Sequence, residues 1–165
     1  MDEVLLIEHF VFSLIASVGF GIFLSVPKVD LLISGFIGSS GWTLYIVLTK
    51  NLPGEILFPY FFATITIGVL GNLCSKITKK PTIVYILPGV IPLVPGYSMY
   101  YTMLYIVTKE YNQAITKGIE ALFIAFAIAT ALLLSESLRK ITNNFLDNLK
   151  LQKRKKILIK TFLKK

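Results

Sequence analysis

The string Ile91-Pro92-Leu93-Val94-Pro95-Gly96 lies in the middle of an apolar run bounded by Lys79-Lys80 and Lys109-Glu110, with Pro88-Gly89 before it and Tyr97-Ser98-Met99-Tyr100-Tyr101-Thr102 after it. A proline has no N–H to give to a helix ladder and crowds the carbonyl one turn back, so three prolines here argue against one continuous helix. The 28 residues from Pro81 to Thr108 would also make a helix about 42 Å long, against a hydrocarbon core of about 30 Å. Two half-helices with an unwound joint fit that thickness. Non-helical backbone persists in a bilayer only where it is buried in protein or lines a wet cavity, because each orphaned amide or carbonyl costs several kcal/mol. The joint is therefore the place to look for function.

Several further apolar runs of about twenty residues, in a chain of 165 that is 55% hydrophobic with a mean hydropathy of +0.72, predict an all-α polytopic membrane protein. About five transmembrane helices are expected, the fourth broken, followed by a basic amphipathic C-terminal helix. The start, Met1-Asp2-Glu3, is too acidic and the first run too long for a cleaved signal peptide, so the first helix is expected to stay. Cys74, the single cysteine, excludes an intramolecular disulfide and reads as a packed thiol. The net charge of +8 is not a nucleic-acid footprint, because residues 139–165 hold ten of the seventeen Lys and Arg against one acid, Asp147. Residues 1–138 form the expected transmembrane domain and residues 139–165 a basic tail whose natural partner is anionic lipid.

The first span is predicted from about Val4 to Val26, with Ser13, Ser17, Gly21 and Ser25 on one stripe that lets another helix approach closely. Glu8 and His9 lie one turn inside it, either as interfacial groups or as a proton-coupling pair. The second, about Leu31 to Thr49, carries Gly35, Gly38 and Gly41. Its Ser39, Ser40 and Thr43 are placed either for interhelical hydrogen bonds or to line a solute path together with Gly41. Asp30 reads as a helix N-terminal residue at the boundary. After the turn Asn51-Leu52-Pro53-Gly54, a third span runs from about Ile56 to Leu73, its aromatic cluster at Phe58 to Phe62 reading as an interfacial belt. The fifth, about Gly118 to Leu138, has Ala121, Ala125 and Ala129 along an expected packing face, with Glu120 and Glu136 solvated near its ends.

With five spans, fourteen Lys and Arg fall on the side of the C-terminus and three on the other, so the C-terminus is expected in the cytoplasm and the N-terminus outside, in the cell membrane. No catalytic residue, metal site or cofactor is expected: the only histidine is His9 and no Asp or Glu falls near a predicted span centre.

Val26-Pro27, the glycine-rich Gly35 to Trp42 segment, and Ile91-Pro92-Leu93-Val94-Pro95-Gly96 followed by Tyr100 and Met103 resemble the threonine/serine exporter family, and more narrowly its small membrane subunit. The resemblance covers roughly residues 4 to 138. It implies ion-gradient-driven export of small amino acids or related small carboxylates, alongside a larger membrane subunit. Ser25 stands where an asparagine is common in that family, and the long basic tail is a second departure.

A half-helix starting near Pro95-Gly96 would aim the free amides of Tyr97 and Ser98 at an anionic group such as a carboxylate. Pro92, Pro95, Gly96, Tyr97, Ser98, Tyr100, Tyr101 and Thr102 are accordingly the candidate solute-binding residues. The alternative is that the prolines only kink a packed helix. Five spans are few for an alternating-access machine, so a homo- or hetero-oligomer is expected. A non-transporting scaffold subunit is the rival reading.

Overall fold

The computed structural model describes residues 3–162, with side chains for residues 5–142. Six α-helices follow one another: α1 (Glu3–Phe23), α2 (Lys28–Asn51), α3 (Leu57–Thr78), α4 (Ile83–Val90), α5 (Gly96–Val107) and α6 (Tyr111–Phe162), with a 3₁₀ turn at Ile91–Leu93. Four helices are long and apolar enough to cross a membrane. The pair Ile83–Leu93 and Gly96–Val107, bent by 50°, is apolar enough only when taken together, as a broken span or a re-entrant loop, which makes four to five candidate crossings. The chain is an all-α polytopic membrane protein. The amphipathic pattern expected in the tail falls on side chains outside the described residues.

Three helices end the same way. Ser25, Lys79 and Lys109 have φ of 58°, 57° and 64°, in the left-handed region. The N–H of the next residue then reaches back to the last turn, as in Val26 to Gly21 O at 2.9 Å, Lys80 to Ser75 O at 3.3 Å and Glu110 to Tyr105 O at 2.8 Å. This is the Schellman closure, usually built on glycine. With serine or lysine there, the sequence carries no glycine to mark the stop, and α1 ends at Phe23 rather than at the Val26 expected from hydropathy.

Helix α2 is the hub, touching α1, α3 and α4. Its closest approach is at Gly38, where a Cβ would strike the Ser17 side chain of α1 and come within 2.9 Å of the Gly89 Cα of α4. Three backbones meet there because none carries a bulky side chain, the arrangement by which helices associate when lipid tails supply no hydrophobic drive. Ser13 and Ser17 of the expected α1 stripe are buried at this seam. The core continues through Ile37, Ile67, Tyr85, Leu93, Ile124 and Ile128, so it joins α2, α3, α4 and α6.

Helix α6 departs from expectation in two ways. It starts at Tyr111 and runs without a break past Leu138. Its buried face is Ile124, Ile128, Ala131 and Ser135, whereas Ala125 and Ala129 are exposed along an apolar groove beside α5. Ala121, Ala125 and Ala129 do share a stripe, but among the described residues Ala125 and Ala129 are left exposed on it and Ala121 is half-buried. Asp30 stands in the first turn of α2, as expected. It is fully buried, accepting from the Tyr85 hydroxyl at 2.8 Å and from Lys80 Nζ at 2.6 Å. That bond holds the Lys80 ammonium above the ordinary lysine value. The pair ties the start of α2 to the turn between α3 and α4.

Replacing Gly38 by Val should lower stability by about 1–3 kcal/mol, since Ser17 can rotate but the Gly89 backbone cannot. Lys109→Gly should raise it by about 0.5–1 kcal/mol by removing the left-handed penalty. Unfolding midpoints of the purified protein in one detergent check both; equal midpoints for Gly38→Val and the parent would refute the close seam.

Candidate functional site: the unwound joint

The break has an identifiable cause at every step. Val94, which precedes a proline, is extended at φ −58° and ψ 134°, as the proline ring forces on the residue before it. Pro95 follows at φ −73° and ψ 55° and centres an inverse γ-turn, closed by Gly96 N–H to Val94 O at 2.7 Å. Helix α5 then begins, with Met99 N–H returning to Pro95 O at 3.0 Å. Between these bonds the amides of Tyr97 and Ser98 have no partner among the described residues. They are first-turn donors at the positive end of a helix dipole.

The joint faces a cavity of about 460 Å³, within the range of about 300–1,000 Å³ usual for small-ligand sites. Pro92, Pro95, Gly96, Tyr97 and Ser98 form one wall. The rest of the lining comes from Trp42 and Tyr45 of α2, Ile56 just before α3, Tyr60 of α3, and Glu120 and Ile124 of α6. The aromatic side chains support each other, Trp42 against Tyr45 at 5.2 Å and Tyr45 against Tyr60 at 4.5 Å between ring centroids. Tyr60 thus faces inward, and the interfacial belt read from the sequence does not describe it.

Glu120 supplies the charge. Its Oε1 accepts from Ser98 Oγ at 2.8 Å and its Oε2 from Lys117 Nζ at 2.7 Å. Lys117 also lies 5.5 Å from the centroid of the Tyr97 ring. Ser98 is only 3% exposed, so its hydroxyl is committed to this bond and not to lipid. The sequence placed Glu120 at the solvated end of a span. Because α6 starts at Tyr111, Glu120 is nine residues in, about 14 Å along the axis. Lys117 and Glu120 at a spacing of three were the available clue.

The other candidates fall elsewhere. Tyr101 stacks on Tyr97 at 4.5 Å, behind the wall, and Tyr100 is exposed on the outer side of α5. Thr102 donates to Ser98 O at 2.6 Å and borders the apolar groove. Ser39 and Ser40 give their hydroxyls to Phe36 O at 3.1 Å and Ile37 O at 2.7 Å, within their own helix, and Gly41 lies under Ile67 of α3. The structure therefore gives these serines neither the interhelical bond nor the cavity position read from the sequence; a serine in a helix can satisfy itself on the previous turn. Glu8 is exposed and His9 half-buried on α1, and neither belongs to the cavity wall.

The chain is 30% identical over 139 residues to an uncharacterized protein of Haemophilus influenzae (strain Rd), an alignment that covers 78% of this chain and 46% of that protein. The chain thus spans about half the length of that relative. No solved structure matches it. The family model described as "Threonine/Serine exporter, ThrE" matches residues 9–138, most of the chain, and the protein belongs to that family of membrane exporters.

Proposed function

We propose that this protein is a membrane subunit of a secondary transporter that exports small amino acids such as threonine and serine, or related small carboxylates, and that the joint at Pro95-Gly96 is part of its solute site. One observation carries the reading: the amides of Tyr97 and Ser98 at a helix start have no partner among the described residues, and both residues line a cavity of about 460 Å³. A carboxylate there would receive the Tyr97 and Ser98 amides, replacing part of the hydration it leaves behind. Pro92, Pro95 and Gly96 keep that backbone open, and Tyr97 and Ser98 present the donors.

The charge distribution supports an orientation with the C-terminus in the cytoplasm. The cavity lies in the half of the bundle toward the α2–α3 and α5–α6 turns, and so faces outward. The Asp30, Lys80 and Tyr85 network closes the opposite end. The tail would rest on anionic lipid of the cell membrane. A larger membrane subunit of the same family, or further copies of this chain, would complete the path. A scaffold role without transport is favoured by one feature, the uncovered apolar groove along Ala121, Ala125 and Ala129.

A Cβ at Gly96 would meet open space, so Gly96→Val should insert and fold while narrowing the cavity. In proteoliposomes containing the chain and its larger partner, it should lower efflux of labelled serine or threonine well below that of the parent. Undiminished flux would favour the scaffold reading. In a Cys74→Ser background, Gly96→Cys should react with a hydrophilic thiol reagent, whereas Met103→Cys on the groove should not; equal reactivity would mean that the joint is not wet.

A further inference from the structure

We infer that Lys117 is a built-in stand-in for the solute ammonium: it pairs with Glu120, and an α-amino acid displaces it by binding its own ammonium to that carboxylate. The inference rests on the joint being the solute site. It adds the residue that tells an amino acid from a plain carboxylate.

Four observations converge on it. Glu120 lines the same cavity as Tyr97 and Ser98 and lies within hydrogen-bond distance of Ser98, so a group that favours a cation stands beside amides that favour an anion. An α-amino acid carries both charges a few bonds apart. Second, the carboxylate is fixed by Ser98, which is buried at the first turn of α5, so its position is tied to the same turn that offers the amides. Third, the ammonium now on Glu120 comes from a long, flexible side chain one turn away on the same helix, so it can swing aside without moving the backbone once another ammonium takes its place. Fourth, there is somewhere for it to go. Lys117 also lines a second hollow, of about 270 Å³, with Asn112, Gln113 and Thr116. Those side chains can accept from a displaced ammonium, so the exchange leaves no charge stranded in hydrocarbon. The Tyr97 ring attracts whichever cation sits beside Glu120.

A solute with a carboxylate but no ammonium meets the reverse situation. If it drew Lys117 away, it would leave Glu120 unpaired beside its own negative charge. The pair therefore selects for zwitterions by penalising anions.

Trp42, the single tryptophan, lines the cavity and reports occupancy by fluorescence in nanodiscs containing the full chain. The probes are L-serine and glycerate, in which a hydroxyl replaces the ammonium. Glu120→Gln should weaken serine at least about tenfold, the scale of a lost hydrogen bond to a charged group, while glycerate holds or tightens because Lys117 is now free to meet it. Lys117→Met should do the opposite, tightening serine about threefold or more by removing the competitor and weakening glycerate. Equal losses for both probes in both variants would make the pair merely structural and overturn the inference, as would weaker serine binding in Lys117→Met. If the parent protein binds neither probe, the joint is not the solute site and both readings fall together. If the parent binds serine and Glu120→Gln binds it equally well, only the ammonium assignment is lost.

Discussion

In hydrocarbon an amide without a partner costs several kcal/mol, and the whole arrangement follows from how the chain meets that constraint at one place where it cannot be met by a helix. Pro92 and Pro95 remove two donors, Val94 is forced extended, and the N–H groups of Tyr97 and Ser98 are left over. Such a segment survives only if the surrounding helices shelter it. They do so by leaving a space lined by Trp42, Tyr45, Tyr60 and Glu120 and not by filling it with aliphatic side chains. The cavity and the break are two sides of one solution.

That shelter depends on close packing elsewhere. The seam of Ser17, Gly38 and Gly89 brings α1, α2 and α4 together, and Gly68 receives Ser135 of α6 in the same manner. These contacts are short-range dispersion and fixed geometry, so they set helix positions tightly. The first half of the broken crossing is held firmly in this way, buried at Tyr85 and Leu93. The second half, α5, packs chiefly on α6 and presents most of its side chains outward.

The charged groups are arranged at two levels. Asp30, Lys80 and Tyr85 bind the ends of helices at one side of the bundle, and Lys117 with Glu120 lies beside the joint nearer the other. Glu136 and Arg139 pair along α6. Each ion pair inside or near the lipid keeps a carboxylate satisfied that would otherwise be costly to bury. The Glu120 pair is distinguished from the others by facing a cavity large enough for a solute.

The sequence by itself determined the class of protein and the position of the break, because hydropathy and proline act locally and need no partner to be read. It also pointed to Pro92, Pro95, Gly96, Tyr97 and Ser98, which the fold places at the break because that break follows from backbone chemistry. It misplaced the ends of α1 and α6, since Ser25 and Lys109 close helices in a conformation that glycine normally announces. Only the tertiary structure brought Glu120 against Ser98, turned Tyr60 inward and left Ala125 and Ala129 uncovered. Those outcomes depend on which face of each helix meets which neighbour, and in a bilayer, where lipid and protein are equally apolar, hydrophobicity does not say which face that is.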